Sequence, residues 1–302
     1  MEQWADETNA EVGMRNAERQ GTVQRRSLRL RANPVMMIRV PTSAFRLLSA
    51  FWRLNVAEEL QYRANFIASV LGTVFNMATA LLTLSLFFHH TTTLGGWDYW
   101  EIVVLLGVFN ALTGVIEAVL RPGIGQLAGE VRSGELDLVL VKPVDAQGFV
   151  SFRRIDIWRL TDVVLGFGLA GYALVQLGHT PSLAQLMAFG LTIAAAAVVV
   201  YAIWVVLMSL AFWFVSVENI AVLFDAVYEG ARYPVSAYPG ALRFLFVYLI
   251  PIAWTTTIPA SALTGRLRPE IGLAAAVVAA LAFGLARALW RTALRRYAGA
   301  SG

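Results

Sequence analysis

The chain has 302 residues, 58% of them hydrophobic and 15% charged, with a formal net charge of +4 and a mean hydropathy of +0.62. A soluble globular domain carries about a quarter of its residues charged, so this composition excludes one and points to an all-α polytopic membrane protein. The lack of cysteine also excludes a disulfide framework, a thiolate metal site and a cysteine nucleophile.

Charge position supplies an orientation. Ten arginines lie in the first 63 residues, six basic residues in 121–159 and four in 287–302, whereas 89–100 and 177–182 hold none. The positive-inside rule places the three basic clusters in the cytoplasm and the two empty loops outside. Residues 1–41 read as a disordered cytoplasmic arm. They lack the apolar core and small-residue cleavage site of a signal peptide. The arm's mixed charge suits anionic lipid headgroups, not nucleic acid. Lys142 is the lone lysine among 24 basic residues in an Ala- and Val-rich chain, the composition of a GC-rich bacterial genome.

Taken in chain order, 43–63 set Phe45, Leu48, Trp52, Val56 and Leu60 at helical spacing, which predicts an interfacial amphipathic helix. Spans are predicted at 66–88, 102–120, 155–177, 183–215 and 271–290; crossing a bilayer takes about 20 residues, so 183–215 must tilt, project or bend. The stretch 220–258 leaves two possibilities for a further span. Either 241–258 crosses despite Arg243 and Pro251, or 220–233 crosses despite Asp225, Glu229 and Arg232 and 241–263 forms a re-entrant pair of short helices. Both give six transmembrane helices and cytoplasmic termini. His89 and His90 follow the first span without acidic or cysteine partners and make a poor metal site.

Between the second and third spans lies EVRSGELDLVLVKPVD, residues 130–145. Upstream, Pro122 stands where a helix loses least by lacking an N–H. Ile124, Leu127, Ala128 and Val131 make one apolar stripe, and Gly134 stands where a left-handed cap would stop the helix. A single surface helix over 122–133 is therefore predicted. Leu136, Leu138 and Leu140 then alternate with Asp137 and Val139 until Pro143 forces a turn. Within the spans, Asn76, Asn110, Glu117, Asp225 and Glu229 are candidates for a translocation pathway. Glu117 within one turn of Arg121 reads equally as a structural ion pair, and Asp225, Glu229 and Arg232 are spaced to pair on one helix face. The runs 194–197 and 274–280 are small enough for close helix packing.

The order of interfacial helix, two spans, VRSGELDLVLVKPVD and the later YPVSAYP, LIP and IPASALTG segments resembles the permease subunit of a type-2 ATP-binding-cassette exporter. The resemblance covers about 42–296 and leaves 297–302 as a cytoplasmic tail. It implies a cytoplasmic coupling helix, with Gly125, Gln126, Ala128, Gly129, Glu130, Arg132, Ser133, Gly134 and Glu135 at the contact with a separate ATPase. Two ATPase copies and a second permease, identical or homologous, would complete the assembly in a bacterial inner membrane. It would move a hydrophobic or amphipathic solute or lipid outward. No G-x-x-x-x-G-K-[ST] phosphate loop is present, so ATP and Mg would belong to the partner and this chain would be no enzyme. A secondary transporter is the alternative, although no counterpart of the Pro-rich region is visible in the first half. An intramembrane enzyme is the lesser one, since the secure spans hold no paired catalytic groups.

Overall fold

Apolar runs without proline become long helices, and the proline and glycine positions decide where they break. The computed structural model describes residues 49, 51–53, 63–124, 126–213, 222 and 225–297, all within the unit Arg46–Gly302. The arm 1–41, most of the interfacial helix at 43–63 and the tail beyond 297 lie outside the described residues. The described residues are helical and hold no strand, only an isolated bridge between Leu94 and Trp97.

Helix α1 spans Arg63–Phe88. It turns a narrow stripe that includes Met77 and Leu84 into the bundle and leaves Ile67, Leu71, Phe75, Leu82 and Leu86 exposed, as suits a helix whose solvent is lipid. Helix α2, Tyr99–Val115, begins where the Glu101 carboxylate accepts from the Asp98 N–H at 2.8 Å. It continues through a π-helical turn, Ile116–Leu120, into Arg121–Ile124.

That continuation corrects the expected helix start at Pro122. A proline inside a helix clashes with the carbonyl four residues back and cannot donate to it. Here the π turn widens the helix just before Pro122, and the Ala118 carbonyl accepts from the Asp156 N–H at 2.8 Å instead. The break falls after Ile124, and α3 is only Leu127–Ser133. Gly134 ends it at φ 78° as expected. The next segment is helical too, because α4 is Leu136–Leu140. Leu136 and Val139 are buried while Leu138 and Val141 are exposed, so the inward period is three and the apparent alternation of leucines means nothing. Helix α5, Ala146–Phe152, is capped by Asp145, which accepts from the Gly148 N–H at 2.9 Å.

Helix α6, Leu160–Gln176, starts five residues later than predicted and has 17 residues. Asp156 accounts for the delay: its amide is taken by Ala118, and its carboxylate accepts from the Trp158 N–H at 3.0 Å, which favours a turn. Helix α7, Leu183–Ser209, opens on a Ser182–Gln185 capping box and tightens into the 3-10 turn Leu210–Phe212. Beyond the turns Glu229–Arg232 and Val235–Ala237, α8 is Gly240–Phe244, extended by a π turn Leu245–Leu249. The backbone breaks at Pro251, and α9 is Thr257–Leu263. The two arms, Gly240–Tyr248 and Ile252–Leu263, meet at a bend of 70°. Helix α10, Pro269–Arg296, has Pro269 in its first turn.

Four helices among the described residues are long and apolar enough to cross a membrane: Phe66–Phe88, Tyr99–Gly123, Leu183–Ser209 and Pro269–Arg296. The sequence predicts six. The two others differ for the reasons just given: α6 loses its first five residues to the Asp156 turn, and the Pro-rich pair is bent.

Two small-residue seams hold the bundle. In the first, α2 and α6 approach so closely that a Cβ on Gly107 would lie 2.6 Å from the Gly166 carbonyl oxygen, and one on Gly166 would lie 2.4 Å from the Ala111 nitrogen. In the second, Ala195 and Val199 of α7 bury against Ala275 and Ala279 of α10. This pairing uses the alanine runs singled out above, within one chain. Small faces let dispersion contacts form between backbones where no hydrophobic drive distinguishes helix from lipid.

Candidate functional site: the 121–159 loop and the charges within the spans

The loop is folded onto the end of the bundle. Leu127, Leu136, Val139, Phe149 and Val150 are buried in one cluster with Trp204, Met208 and Trp290. Gly123 fits under α5, where a Cβ would lie 2.5 Å from the Val150 carbonyl oxygen. Lys142 places its ammonium over the rings of Phe51 and Phe149 at 5.0 and 4.5 Å. The Trp52 indole donates to the Phe152 carbonyl at 2.6 Å.

The residues assigned to a partner contact divide by exposure. Gln126, Gly129, Arg132, Ser133 and Glu135 are exposed, and Gly134 is half-buried. Gly125 lies outside the described residues, and Ala128 is described only as part of α3. Glu130 turns inward and pairs with Arg153, the two side chains retaining 14% and 11% exposure. Its carboxylate is therefore engaged inside the chain. Arg153 carries no sequence signal for this contact, being 23 residues away across two helices.

A second polar contact joins the loop to the spans. Arg287 of α10 pairs with the Asp145 carboxylate and donates to Gln147 Oε1 at 2.8 Å. Gln147 in turn donates to the Tyr201 hydroxyl of α7 at 3.0 Å, and Ser151 lies 3.2 Å from the same hydroxyl. Phe152 stacks on Tyr201. The loop is thus tied to α7 and α10 as well as to α2 and α6, its neighbours in sequence. The sequence places Arg287 only in the basic cluster 287–302; its partner is 142 positions away.

Burial pushes the Asp145 carboxyl up, but the Arg287 guanidinium, the Gly148 N–H and the Arg291 charge outweigh it and hold the group below the ordinary carboxylate range. A carboxyl lowered by folding stabilises the fold above its unfolded value of about 3.9 and loses that contribution as pH falls through the folded value. Asp145→Asn is therefore expected to melt lower than the parent at pH 7, with the gap closing only below about pH 4. Thermal melts of detergent-purified protein across pH 3–7 check this; a gap that is constant over that range would contradict it.

Two charged clusters lie against the spans. In one, Arg121 pairs with Glu117 at 3.0 Å and with Asp225 at 2.6 Å, and its guanidinium stacks over Trp204 at 5.4 Å. In the other, Arg232 pairs with Glu229 at 2.6 Å, donates to Asn76 Oδ1 at 2.9 Å and lies over the Phe109 ring at 5.2 Å. Asn76 and Phe109 sit near the middle of Phe66–Phe88 and Tyr99–Gly123, so this second cluster lies at mid-span depth. The expected pairing of Glu229 with Arg232 forms, whereas Asp225 reaches Arg121 instead. Asn110 donates to the Leu106 carbonyl of its own helix at 2.8 Å and joins neither cluster. Thr73 donates to Asp162 and fastens α1 to α6. At the opposite end of α2, Glu101 pairs with Arg266 at 2.8 Å, and the Ser236 hydroxyl donates to the Gly95 carbonyl at 2.6 Å.

A family model described as "ABC-2 family transporter protein" matches residues 74–301. No curated protein matches the chain. The match covers most of the chain, from the middle of α1 through α10, and the chain belongs to this family of ABC transporter membrane subunits.

Proposed function

We propose that this ABC-2 family permease forms the membrane pathway of an ATP-driven exporter, and that Gln126, Gly129, Arg132, Ser133 and Glu135 form the docking edge for a separate ATPase subunit. One observation carries the reading. The loop presents a polar edge on one side while its other side is keyed into the bundle through Leu127, Leu136, Val139 and Phe149. A force applied to α3 cannot be absorbed by a slack loop.

On this reading ATP and Mg are held by the partner, in two copies under two permeases, α6 and the 220–233 stretch complete six crossings, and the bent α8–α9 pair is re-entrant, since Ser236 before it reaches Gly95 and Arg266 after it reaches Glu101. The 17 residues of α6 give roughly 25 Å at 1.5 Å per residue, which a slightly thinned bilayer accommodates. Both termini then face the basic, cytoplasmic side. Closure of the ATPase pair pushes α3, the Glu130–Arg153 contact passes that movement to α5, and the Asp145–Arg287 and Gln147–Tyr201 contacts pass it on to α10 and α7. The bundle switches as a rigid assembly between inward and outward access. Asn76, Glu117, Asp225 and Glu229 are the groups that would meet an amphipathic solute, since charged side chains at membrane depth face a polar cavity or one another. Asn110 is omitted because its amide serves its own helix.

Reversing Arg132→Glu together with Glu135→Arg is expected to reduce co-purification of the ATPase at least about tenfold, a loss of roughly 1.4 kcal/mol. Insertion of the permease should be unchanged, because neither side chain is buried. Undiminished assembly in that variant would remove the docking assignment.

A further inference from the structure

We infer that the end of α10 near Tyr297 holds an acidic phospholipid headgroup between Arg291 and Arg295. The argument starts from helical phase. Leu273, Val277, Leu281 and Leu285 recur every four residues and are 58–69% exposed, an unbroken aliphatic stripe with no polar interruption. At 100° per residue, Ala288 continues that stripe, and Arg291 and Arg295 fall at its foot. Both arginines are exposed. Neither enters an ion pair among the described residues. One turn closer to the spans, Arg287 is already committed to Asp145 and Gln147.

The vertical order matches one kind of occupant. An acyl chain along Leu273 to Leu285 brings its phosphate level with Arg291 and Arg295, which rise about 6 Å apart at 1.5 Å per residue. Two guanidiniums at that separation can share one phosphate or flank it. A second copy of this chain fits the face poorly: a two-fold axis along the membrane normal brings the arginine pairs of both copies to the same depth, and like charges brought together across an interface are repelled. The stripe carries only aliphatic side chains, so nothing on it would answer a polar partner. Of the loop's acids, Asp145 is held by Arg287 and Asp137 is engaged by the Tyr297 hydroxyl.

The test uses the full chain in lipid nanodiscs with nitroxide-labelled phosphatidylglycerol and phosphatidylcholine as probes. The parent is expected to immobilise the acidic lipid preferentially, by about fivefold for each arginine, and to lose that preference at high salt. Arg291→Gln with Arg295→Gln should lower that preference by about fivefold for each arginine removed, while Arg291→Lys with Arg295→Lys keeps it. Equal preference in the parent and the Gln pair overturns the proposal, and so does salt-independence in the parent, a result that needs no variant to fold. The chain has no cysteine, so Leu281→Cys gives a single reporter. Efficient disulfide cross-linking between copies at that position also overturns the proposal, because the face would then be covered by protein.

Discussion

Gly166→Leu is expected to prevent assembly of the native bundle, and Gly166→Ala to lower its stability by about 1–3 kcal/mol. The obstacle is backbone: the new Cβ would lie 2.4 Å from the Ala111 nitrogen and 2.6 Å from the Gly107 carbonyl oxygen. A side chain can swing aside, but two helix backbones in contact must separate. Moving them apart also opens the rest of the seam, where Gly114 lies against Val163 and Asp162. The same helix provides controls, since a Cβ on Gly168 or Gly171 meets nothing within 4 Å. Their alanine variants should match or slightly exceed the parent in thermal melts, because alanine is the better helix former. If Gly166→Ala and Gly168→Ala melt alike, the α2–α6 contact is not as close as described.

The second large effect concerns Glu130. Reversal of either partner, Glu130→Arg or Arg153→Glu, is expected to cost about 3–5 kcal/mol, because the opposing charge is left buried beside a like charge. The double exchange should recover most of that loss by restoring the pair with its order reversed. Both side chains are at most 14% exposed, so solvent screening reduces the effect little. Melting temperatures of the two single variants and the exchange measure the coupling directly. Additive losses in the exchange would show that the two groups do not act as a pair. The result also bears on docking, because Glu130→Arg would lose an ATPase through a damaged loop, whereas Arg132 and Glu135 act from an exposed edge.

What was legible in the sequence follows from range. Helices α1, α2, α7 and α10 announce themselves because an apolar run of 20 or more residues has one cheap conformation in a bilayer. Gly134 was readable because a left-handed cap is a local requirement. Pro122 was not, because its tolerance inside a helix depends on the Asp156 amide, 38 positions after Ala118. The leucines at 136, 138 and 140 suggested a period of two, yet burial of Leu136 and Val139 follows the turn closed by Gly134 and the space left under Trp204 and Met208. The candidate site was legible as a list of polar residues in an apolar chain and not as pairs. Asp225 has Glu229 and Arg232 nearby in sequence, but Arg121 is the partner that geometry offers. The glycines of α2 and α6 were silent for the same reason, since each seam half is unremarkable alone.

The polar bonds of α1 set an order of events during synthesis. Thr73 and Asn76 are made 89 and 156 residues before Asp162 and Arg232, the groups they bind. At about 10 residues per second, Asn76 waits on the order of 15 s for its guanidinium. Thr73 has an interim acceptor in the Ser69 carbonyl at 3.0 Å, and the apolar run around both residues is sufficient to carry them into the bilayer. Arg232 is in the opposite position: it can leave water only where Asn76 and the face of Phe109 are already in place to receive it. The early half of the chain thus prepares the berth that makes the late charge tolerable, and a lesion at Asn76 would surface as a delay in maturation before it surfaced as a loss of transport.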